Sequence, residues 1–152
     1  MGTVSARVKV GGLASAAEAL WYDTARWPSY VDGLKHVASV EAGWPDVGGR
    51  VLWDSFPGGR GRVQERVQAY EARTGQTAAV EDEQIRGTQR VSFTPEPGGV
   101  TVALELEYEL KEARPGMWFV DAIFVRRAQR ESLGRTLRRF AVELAAEEQP
   151  AL

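Results

Sequence analysis

Between His36 and Leu110 the sequence repeats one pattern six times: a stretch of period two, then a turn containing glycine or proline. The last stretch is the clearest, because apolar or aromatic residues fill every second position from Val100 to Leu110. Such alternation predicts a strand with one buried face, and strands joined by short turns pair antiparallel. A sheet of six such strands is expected to curl. The predicted strands cover residues 36–44, 48–56, 63–69, 77–85, 89–94 and 100–110.

The chain before these strands predicts one more strand and two short helices. Apolar residues alternate over residues 4–10, which predicts a first strand. Ser15 and Glu18 match a capping box, so a helix is expected over residues 16–23. A second short helix is expected over residues 27–31. We expect one domain over residues 1–152, of class α+β, with an antiparallel sheet covered on one face.

Residues 117–147 predict a long last helix, preceded by Pro115 and Gly116. Its stripe of apolar residues is polar in the middle turn, where Arg126 lies near the centre with Gln129 close by. Either Arg126 lays its aliphatic part on the core and reaches water, or the middle turn faces a cavity polar enough to hold a guanidinium. A space between such a helix and a curled sheet is a common place for small molecules to bind.

Composition excludes several classes of site. The chain has no cysteine and one histidine, His36, so disulfides, thiolate sites and histidine-rich metal clusters are excluded, and we expect no metal or cofactor. The net charge of -2 gives no indication of a nucleic-acid partner. No leader is recognisable and no apolar run approaches the roughly 20 residues that span a bilayer, so a cytoplasmic protein is expected. His36 is expected near the surface.

Five local stretches carry a resemblance over nearly the whole chain: residues 16–21 with Asp23, 26–28, 47–49, 61–70 and 98–102. In their order and spacing they resemble the START/Bet v 1-like (SRPBCC) superfamily, and within it the bacterial polyketide cyclase/dehydrase-like proteins. The resemblance implies a helix-grip fold, in which a curved antiparallel sheet of about seven strands (β-α-α-β6-α) wraps around the long C-terminal helix. It implies function less specifically, because the superfamily includes carriers, hormone-binding proteins, cyclases and aromatases.

In a helix-grip fold the inward strand positions line the cavity, with the helix facing them. Gln84 counts among the expected cavity-lining residues because Asp82 and Gln84 are expected to share the inward face of their strand. The turn at residues 57–61 is expected to form a flap over the cavity mouth. The ligand-binding residues that the resemblance implies are Trp27, Tyr30, Trp53, Glu65, Gln84, Gln89, Tyr108, Phe119, Arg126 and Gln129.

Glu65 stands out because it lies in an otherwise apolar row, between Val63 and Val67. A buried carboxylate is costly unless it meets a cation, so we predict an ion pair or water-bridged network that joins Glu65 or Asp82 to Arg126. Such a network either braces the helix against the sheet or orients a ligand. In a cyclase-like reaction Arg126 would polarise a ketone, and Glu65, Asp82 or Tyr108 would move protons.

Three functions remain open at this point. The first is a protein that binds a hydrophobic or aromatic, polyketide- or lipid-like small molecule, as a monomer or homodimer. The second is an enzyme of the polyketide cyclase, aromatase or dehydratase type. The third is a protein-interaction or stress-response module, which would expose an apolar patch on the short helices or flap and would have no closed cavity.

Overall fold

Seven antiparallel strands form one curved sheet in the computed structural model of the chain, which describes residues 1–111 and 118–148. Three helices accompany the sheet, and a short 3-10 turn, Thr24–Arg26, joins the first two. The strands are β1 Gly2–Val10, β2 Leu34–Val40, β3 Arg50–Ser55, β4 Arg62–Glu71, β5 Gly75–Glu81, β6 Ile85–Glu96 and β7 Gly99–Leu110. The helices are α1 Ala14–Tyr22, α2 Trp27–Tyr30 and α3 Trp118–Glu148.

The strand order in the sheet is β1-β7-β6-β5-β4-β3-β2. Strands β2 to β7 therefore form successive hairpins, and β1 returns to pair with β7, from Gly2 opposite Tyr108 to Val10 opposite Val100. Helices α1 and α2 carry the chain from one edge of the sheet to the other. This architecture confirms the predicted α+β class and the curved seven-stranded sheet with a long C-terminal helix.

Alternating burial identifies the inner face of the sheet. Every second residue of β7 from Val100 to Tyr108 is buried, as predicted, and so are Val63, Glu65 and Val67 of β4. The apolar residues of α3 that cover this face are Leu133, Leu137, Phe140 and Leu144. Burial of this apolar surface is the main force that holds the helix on the sheet. Within the described residues, no helix is both long enough and apolar enough to cross a bilayer.

An aromatic cluster closes the core beneath the short helices. The Phe140 ring centroid lies 5.6 Å from that of Trp21 and 5.3 Å from that of Tyr30, both with edge-to-face geometry. The Tyr30 hydroxyl is satisfied by the main-chain carbonyls of Leu20 and Trp21, at 3.1 and 3.0 Å. These contacts fix α1 and α2 against α3 and leave no polar group of Tyr30 unpaired.

Two predicted strands end earlier than expected. Strand β2 stops at Val40, because the chain then makes tight turns in which the amides of Trp44 and Asp46 donate to the carbonyls of Glu41 and Gly43. Strand β5 stops at Glu81, because the Asp82 carboxylate accepts the main-chain N–H groups of residues 84 and 85 at 2.8 and 2.9 Å. A short acidic side chain that bonds its own backbone in this way favours a turn over a strand.

The predicted capping box does not form. Helix α1 begins at Ala14, with Leu13 as its N-cap residue, and no side-chain hydrogen bond caps it. The Leu13 carbonyl accepts the amides of Ala16 and Ala17 at 3.1 and 3.2 Å, which places Ser15 inside the first turn. Glu18 instead accepts the amide of Arg73, at 2.6 Å, in the turn between β4 and β5.

One carboxylate, Asp32, joins the corner between α2 and β2 to three side chains of α3. It accepts a hydrogen bond from Ser132 at 2.9 Å, two from Arg135 at 3.0 and 3.1 Å, and one from Arg139 at 3.1 Å. Its own amide donates to the Thr136 hydroxyl at 3.0 Å. Partial burial opposes ionisation, but the Arg135 and Ser132 hydrogen bonds and the Arg135 and Arg139 charges lower the pKa of Asp32. The helix is thus anchored at this corner, in addition to the contact of Arg26 with Glu143 at 2.8 Å.

Replacing Asp32 by asparagine should destabilise the protein by about 1–2 kcal/mol, because a neutral amide cannot serve both guanidinium groups and solvent screens part of the loss. Urea denaturation at neutral pH measures this. Glu131→Gln is the matched control, since Glu131 pairs with Arg127 and Arg135 on the exposed side of α3. It should cost less than about 1 kcal/mol. Equal losses for the two variants would contradict the anchoring role of Asp32.

Candidate functional site

A small space lies between the sheet and α3, at the level where the helix stripe is polar. Its volume is about 30 Å³. Ligand pockets are commonly about 300–1,000 Å³, whereas one or two waters need only about this much room. A ligand-sized cavity is therefore not confirmed, and we call this space the inner chamber. The residues that line it are Trp21, Trp27, Val31, Asp32, Trp53, Arg60, Glu65, Gln89, Leu104, Gln129, Ser132, Leu133 and Thr136.

The floor of the inner chamber is formed by Trp53 of β3 and Glu65 of β4. Trp53 pairs with Val63, so Glu65 is its diagonal neighbour on the same face of the sheet. The indole N–H of Trp53 donates to Glu65 Oε2 at 2.8 Å. Both side chains are buried, Trp53 with 1% and Glu65 with 8% of its surface exposed. The register of one hairpin thus suffices to place a carboxyl group against an indole.

Arg60, in the turn between β3 and β4, closes one side of the inner chamber. Its guanidinium carbon lies 5.5 Å from the centroid of the Trp53 ring, within the range of a cation–π contact. Its Nε donates to Asp82 Oδ2 at 2.6 Å. The Asp82 side chain is fully buried, while 22% of the Arg60 side chain remains exposed. This turn therefore approaches the sheet through one long side chain that is held at both an aromatic face and a buried carboxylate.

Burial raises the pKa of Glu65 above its usual value. The hydrogen bond from Trp53 and the charge of Arg60 oppose that rise without cancelling it. The reason is that the Arg60 guanidinium bonds Asp82, so Glu65 has no cation in direct contact among the described residues. A carboxyl group in this setting can hold a proton and can donate it, which a solvated glutamate seldom does.

Apart from Asp32, which is paired with Arg135 and Arg139, the rest of the polar lining is neutral. Gln89 of β6 and Gln129 of α3 contribute to opposite walls of the inner chamber, and Gln129 is 6% exposed. The Thr136 hydroxyl accepts the amide of Asp32. Amide and hydroxyl groups can donate or accept hydrogen bonds without adding charge. Together with Glu65 they concentrate hydrogen-bonding capacity in a core that is otherwise apolar.

Five of the predicted lining residues meet at the inner chamber: Trp27, Trp53, Glu65, Gln89 and Gln129. The side chain of Phe119 lies outside the residues whose side chains are described. Tyr30 was expected near the entrance, but it is fully buried in the aromatic cluster of α1, α2 and α3. Gln84 was expected inside, but it is exposed in the turn that follows Asp82.

The predicted pairing of Arg126 with Glu65 or Asp82 is wrong. Arg126 is exposed, as in the alternative in which its head reaches water, and Asp82 pairs with Arg60 instead. Tyr108 points inward but lies away from the inner chamber and borders a groove of about 480 Å³ along β4 to β7. Burial raises the pKa of Tyr108, and the charges of Arg126 and Arg130 oppose that rise. The charge of Arg126 is therefore felt at Tyr108 and not at Glu65.

Sequence reasoning missed Arg60, Asp32, Ser132 and Thr136 as parts of this site. The sequence pattern predicts only that Arg60 belongs to a glycine-rich turn. One feature of the sequence could have indicated that Arg60 reaches the core. Its neighbours Gly59 and Gly61 have no side chain that could do so. His36 was expected near the surface, and the structure agrees: it is largely exposed, with Nε2 3.1 Å from Asp54 Oδ2.

No protein-family model and no curated protein matches this chain. Solved structures do match in fold. A START superfamily protein from Mycobacterium smegmatis is 17% identical with a TM-score of 0.75, covering 95% of this chain and 98% of that one. A protein from Thermus thermophilus is 19% identical with a TM-score of 0.75, covering 97% and 100%.

The di-domain ARO/CYC StfQ from the steffimycin biosynthetic pathway also matches. It is 17% identical with a TM-score of 0.78, over 95% of this chain and 51% of that one, so this chain spans about half of the di-domain protein. At these identities the likeness is one of fold. The protein has the START-like helix-grip fold, as its sequence predicted.

The raised pKa of Glu65 predicts how stability depends on pH. As pH rises from about 4.5, the unfolded chain loses the Glu65 proton before the folded chain does. The free energy of unfolding of the wild type should therefore fall, relative to that of Glu65→Gln, as pH rises through this window and the raised pKa. Each unit by which burial raises the pKa of Glu65 corresponds to about 1.4 kcal/mol in the free energy of unfolding. Urea denaturation of both proteins at a series of pH values measures this.

Glu107→Gln, an exposed substitution on the outer face of β7, is the control and should follow the wild-type profile. Parallel profiles for the wild type and Glu65→Gln would mean that burial does not raise the pKa of Glu65.

Proposed function

We propose that this protein binds a small, largely apolar molecule between the sheet and α3, with the polar group of the ligand held by Glu65, Gln89 and Gln129. The observation that carries the proposal is the cluster of buried hydrogen-bonding groups beside three tryptophans, Trp21, Trp27 and Trp53. Buried polar groups reduce stability relative to apolar packing, so their concentration in one place favours a role in binding. The fold adds support, because one protein that shares it is a START superfamily protein and another is an ARO/CYC.

The proposal requires the inner chamber to enlarge, since about 30 Å³ accommodates only water. Arg60 is the wall best able to move. It lies in a turn and its side chain is partly exposed, whereas the other lining residues belong to strands and helices or, for Val31 and Asp32, to the corner that Asp32 ties to α3. Displacing its guanidinium from Trp53 and Asp82 would open a path from solvent to Glu65. The turn at residues 57–61 then serves as the flap expected from the sequence.

An enzyme of the cyclase, aromatase or dehydratase type is the second candidate. It is favoured by one observation, the carboxyl group of Glu65 with its raised pKa beside neutral hydrogen-bonding groups. A protonated carboxyl of this kind can act as a general acid toward a carbonyl or hydroxyl oxygen. In this candidate Glu65 is the proton-transfer residue, and Trp53 is a positioning residue that holds it through the indole N–H.

Filling the inner chamber should weaken ligand binding. N-phenyl-1-naphthylamine, an uncharged fluorescent aromatic amine, is a suitable probe and should bind the wild type saturably. Gln129→Trp should weaken its binding at least about tenfold by occupying the space. Arg130→Trp adds the same side chain at the next, exposed position of α3 and should leave the affinity unchanged.

Gln129→Met, a smaller change, checks that any loss of probe binding reflects filling of the inner chamber and not unfolding. Circular dichroism measures the folding of each variant. If both tryptophan variants bind the probe like the wild type, the ligand site is not between the sheet and α3.

Removing the Arg60 side chain should speed ligand entry. Its charged hydrogen bond to Asp82 is worth about 1.5–3 kcal/mol, so Arg60→Ala should raise the association rate of the same probe by about tenfold. Stopped-flow fluorescence measures this rate. Arg62→Ala is the matched control, because Arg62 pairs with Asp54 at 2.8 Å and is largely exposed. An association rate that is equal in the two variants would place the entrance elsewhere.

A further inference from the structure

The charges around the inner chamber limit which ligands it can accept. Arg60, the cation of the lining, already donates to the fully buried Asp82 at 2.6 Å. Two further cations, Arg135 and Arg139, lie 3.0 and 3.1 Å from Asp32, which also lines the chamber. Each of these guanidinium groups therefore has its counter-charge within the protein. A ligand carboxylate or phosphate would have to break one of these pairs to obtain a cation.

The acidic side of the lining is not balanced in the same way. Glu65 is buried, and its described hydrogen bond comes from the neutral indole of Trp53. A ligand anion placed against it would meet either a second negative charge or a carboxyl group with one proton to share. Burying an anion without a cation in contact is strongly unfavourable.

An uncharged oxygen meets no such obstacle. Burial favours the protonated form of Glu65, and a protonated carboxyl donates one hydrogen bond. The amide N–H groups of Gln89 and Gln129 are further donors from opposite walls. A ketone, phenol or alcohol oxygen can accept from these groups while the attached apolar part contacts the tryptophans.

We infer that the ligand is uncharged and carries a ketone or hydroxyl oxygen that Glu65 recognises, and that the chamber excludes carboxylates and phosphates. Selectivity arises because the cations of the site are paired with Asp82 and Asp32, while Glu65 meets the ligand directly. This inference rests on the proposed function, because it names the class of molecule bound at the same site.

Three probes that share one ring system test the inference: 2-acetylnaphthalene, which is a neutral ketone, 2-naphthoate, which is an anion, and 2-naphthylmethylammonium, which is a cation. At neutral pH the ketone should bind the wild type at least about tenfold more tightly than the naphthoate. Quenching of tryptophan fluorescence measures the affinities, with isothermal titration calorimetry as a second readout.

The variant Glu65→Gln separates the role of this carboxyl group from that of the apolar walls. Its amide still donates, so ketone affinity should remain within about threefold of the wild type. Naphthoate affinity should rise, because the variant has no carboxyl group that can ionise beside the bound anion. The ratio of ketone to naphthoate affinity should therefore fall by at least about threefold. Glu107→Gln, on the outer face, should leave the ratio unchanged.

Three results would each overturn the inference while leaving the proposed function intact. The three probes could bind equally tightly, or the naphthoate or ammonium probe could bind most tightly. The third such result is an unchanged ratio of ketone to naphthoate affinity in Glu65→Gln. Failure of all three probes to bind saturably would overturn both. Sensitivity of ketone binding to Gln129→Trp, but not to Arg130→Trp, distinguishes binding in the chamber from binding at the surface.

Discussion

The ionic contact at Asp32 sets the geometry on which the rest of the interior depends. Three side chains of α3 converge on this carboxylate, and one of them, Ser132, also lines the inner chamber, as does Thr136, which accepts the Asp32 amide. The apolar stripe alone would permit the helix to rotate or slide by small amounts, because apolar contacts are not directional. The hydrogen bonds to Asp32, together with the pair between Arg26 and Glu143, limit that freedom.

The buried polar groups beneath α3 reduce the stability of the fold, which favours a role for them in binding or chemistry. An apolar residue at position 65 would pack against Val51 and Val80, its neighbours across the sheet, without desolvating a carboxyl group. The Arg60–Asp82 pair also carries a desolvation cost, which its short hydrogen bond and the stacking on Trp53 offset in part. Groups that oppose folding tend to persist where binding or chemistry needs them. The inner chamber has several such groups within one small volume.

Local patterns in the sequence were sufficient for most of the architecture. Alternation placed Val63, Glu65 and the inward residues of β7 on the correct face, and the absence of breakers marked the long helix. The partner of Asp82 could not be found in this way. It depends on Arg60, whose position follows from the path of a turn and not from any periodicity.

Arg126 illustrates the opposite error. Its place on the helical stripe was judged correctly from spacing, yet a long, flexible side chain with a hydrated head reaches solvent from that place. Spacing specifies the direction in which a side chain leaves the helix, whereas the free energy of hydration decides where its charged end lies. Gln129, three residues on, is shorter and uncharged, and it stays inside.

The pairing of β1 with β7 has a consequence for how the chain acquires its fold. Val10 pairs with Val100 and Gly2 with Tyr108, so β1 is synthesised well before β7, the strand with which it pairs in the sheet. Contacts so distant in sequence form late and slow the overall rate. Until β1 pairs with it, β7 is an open edge, a known template for intermolecular pairing. Glu105, Glu107 and Glu109 alternate along that strand, and their mutual repulsion disfavours pairing between two nascent copies until β1 arrives.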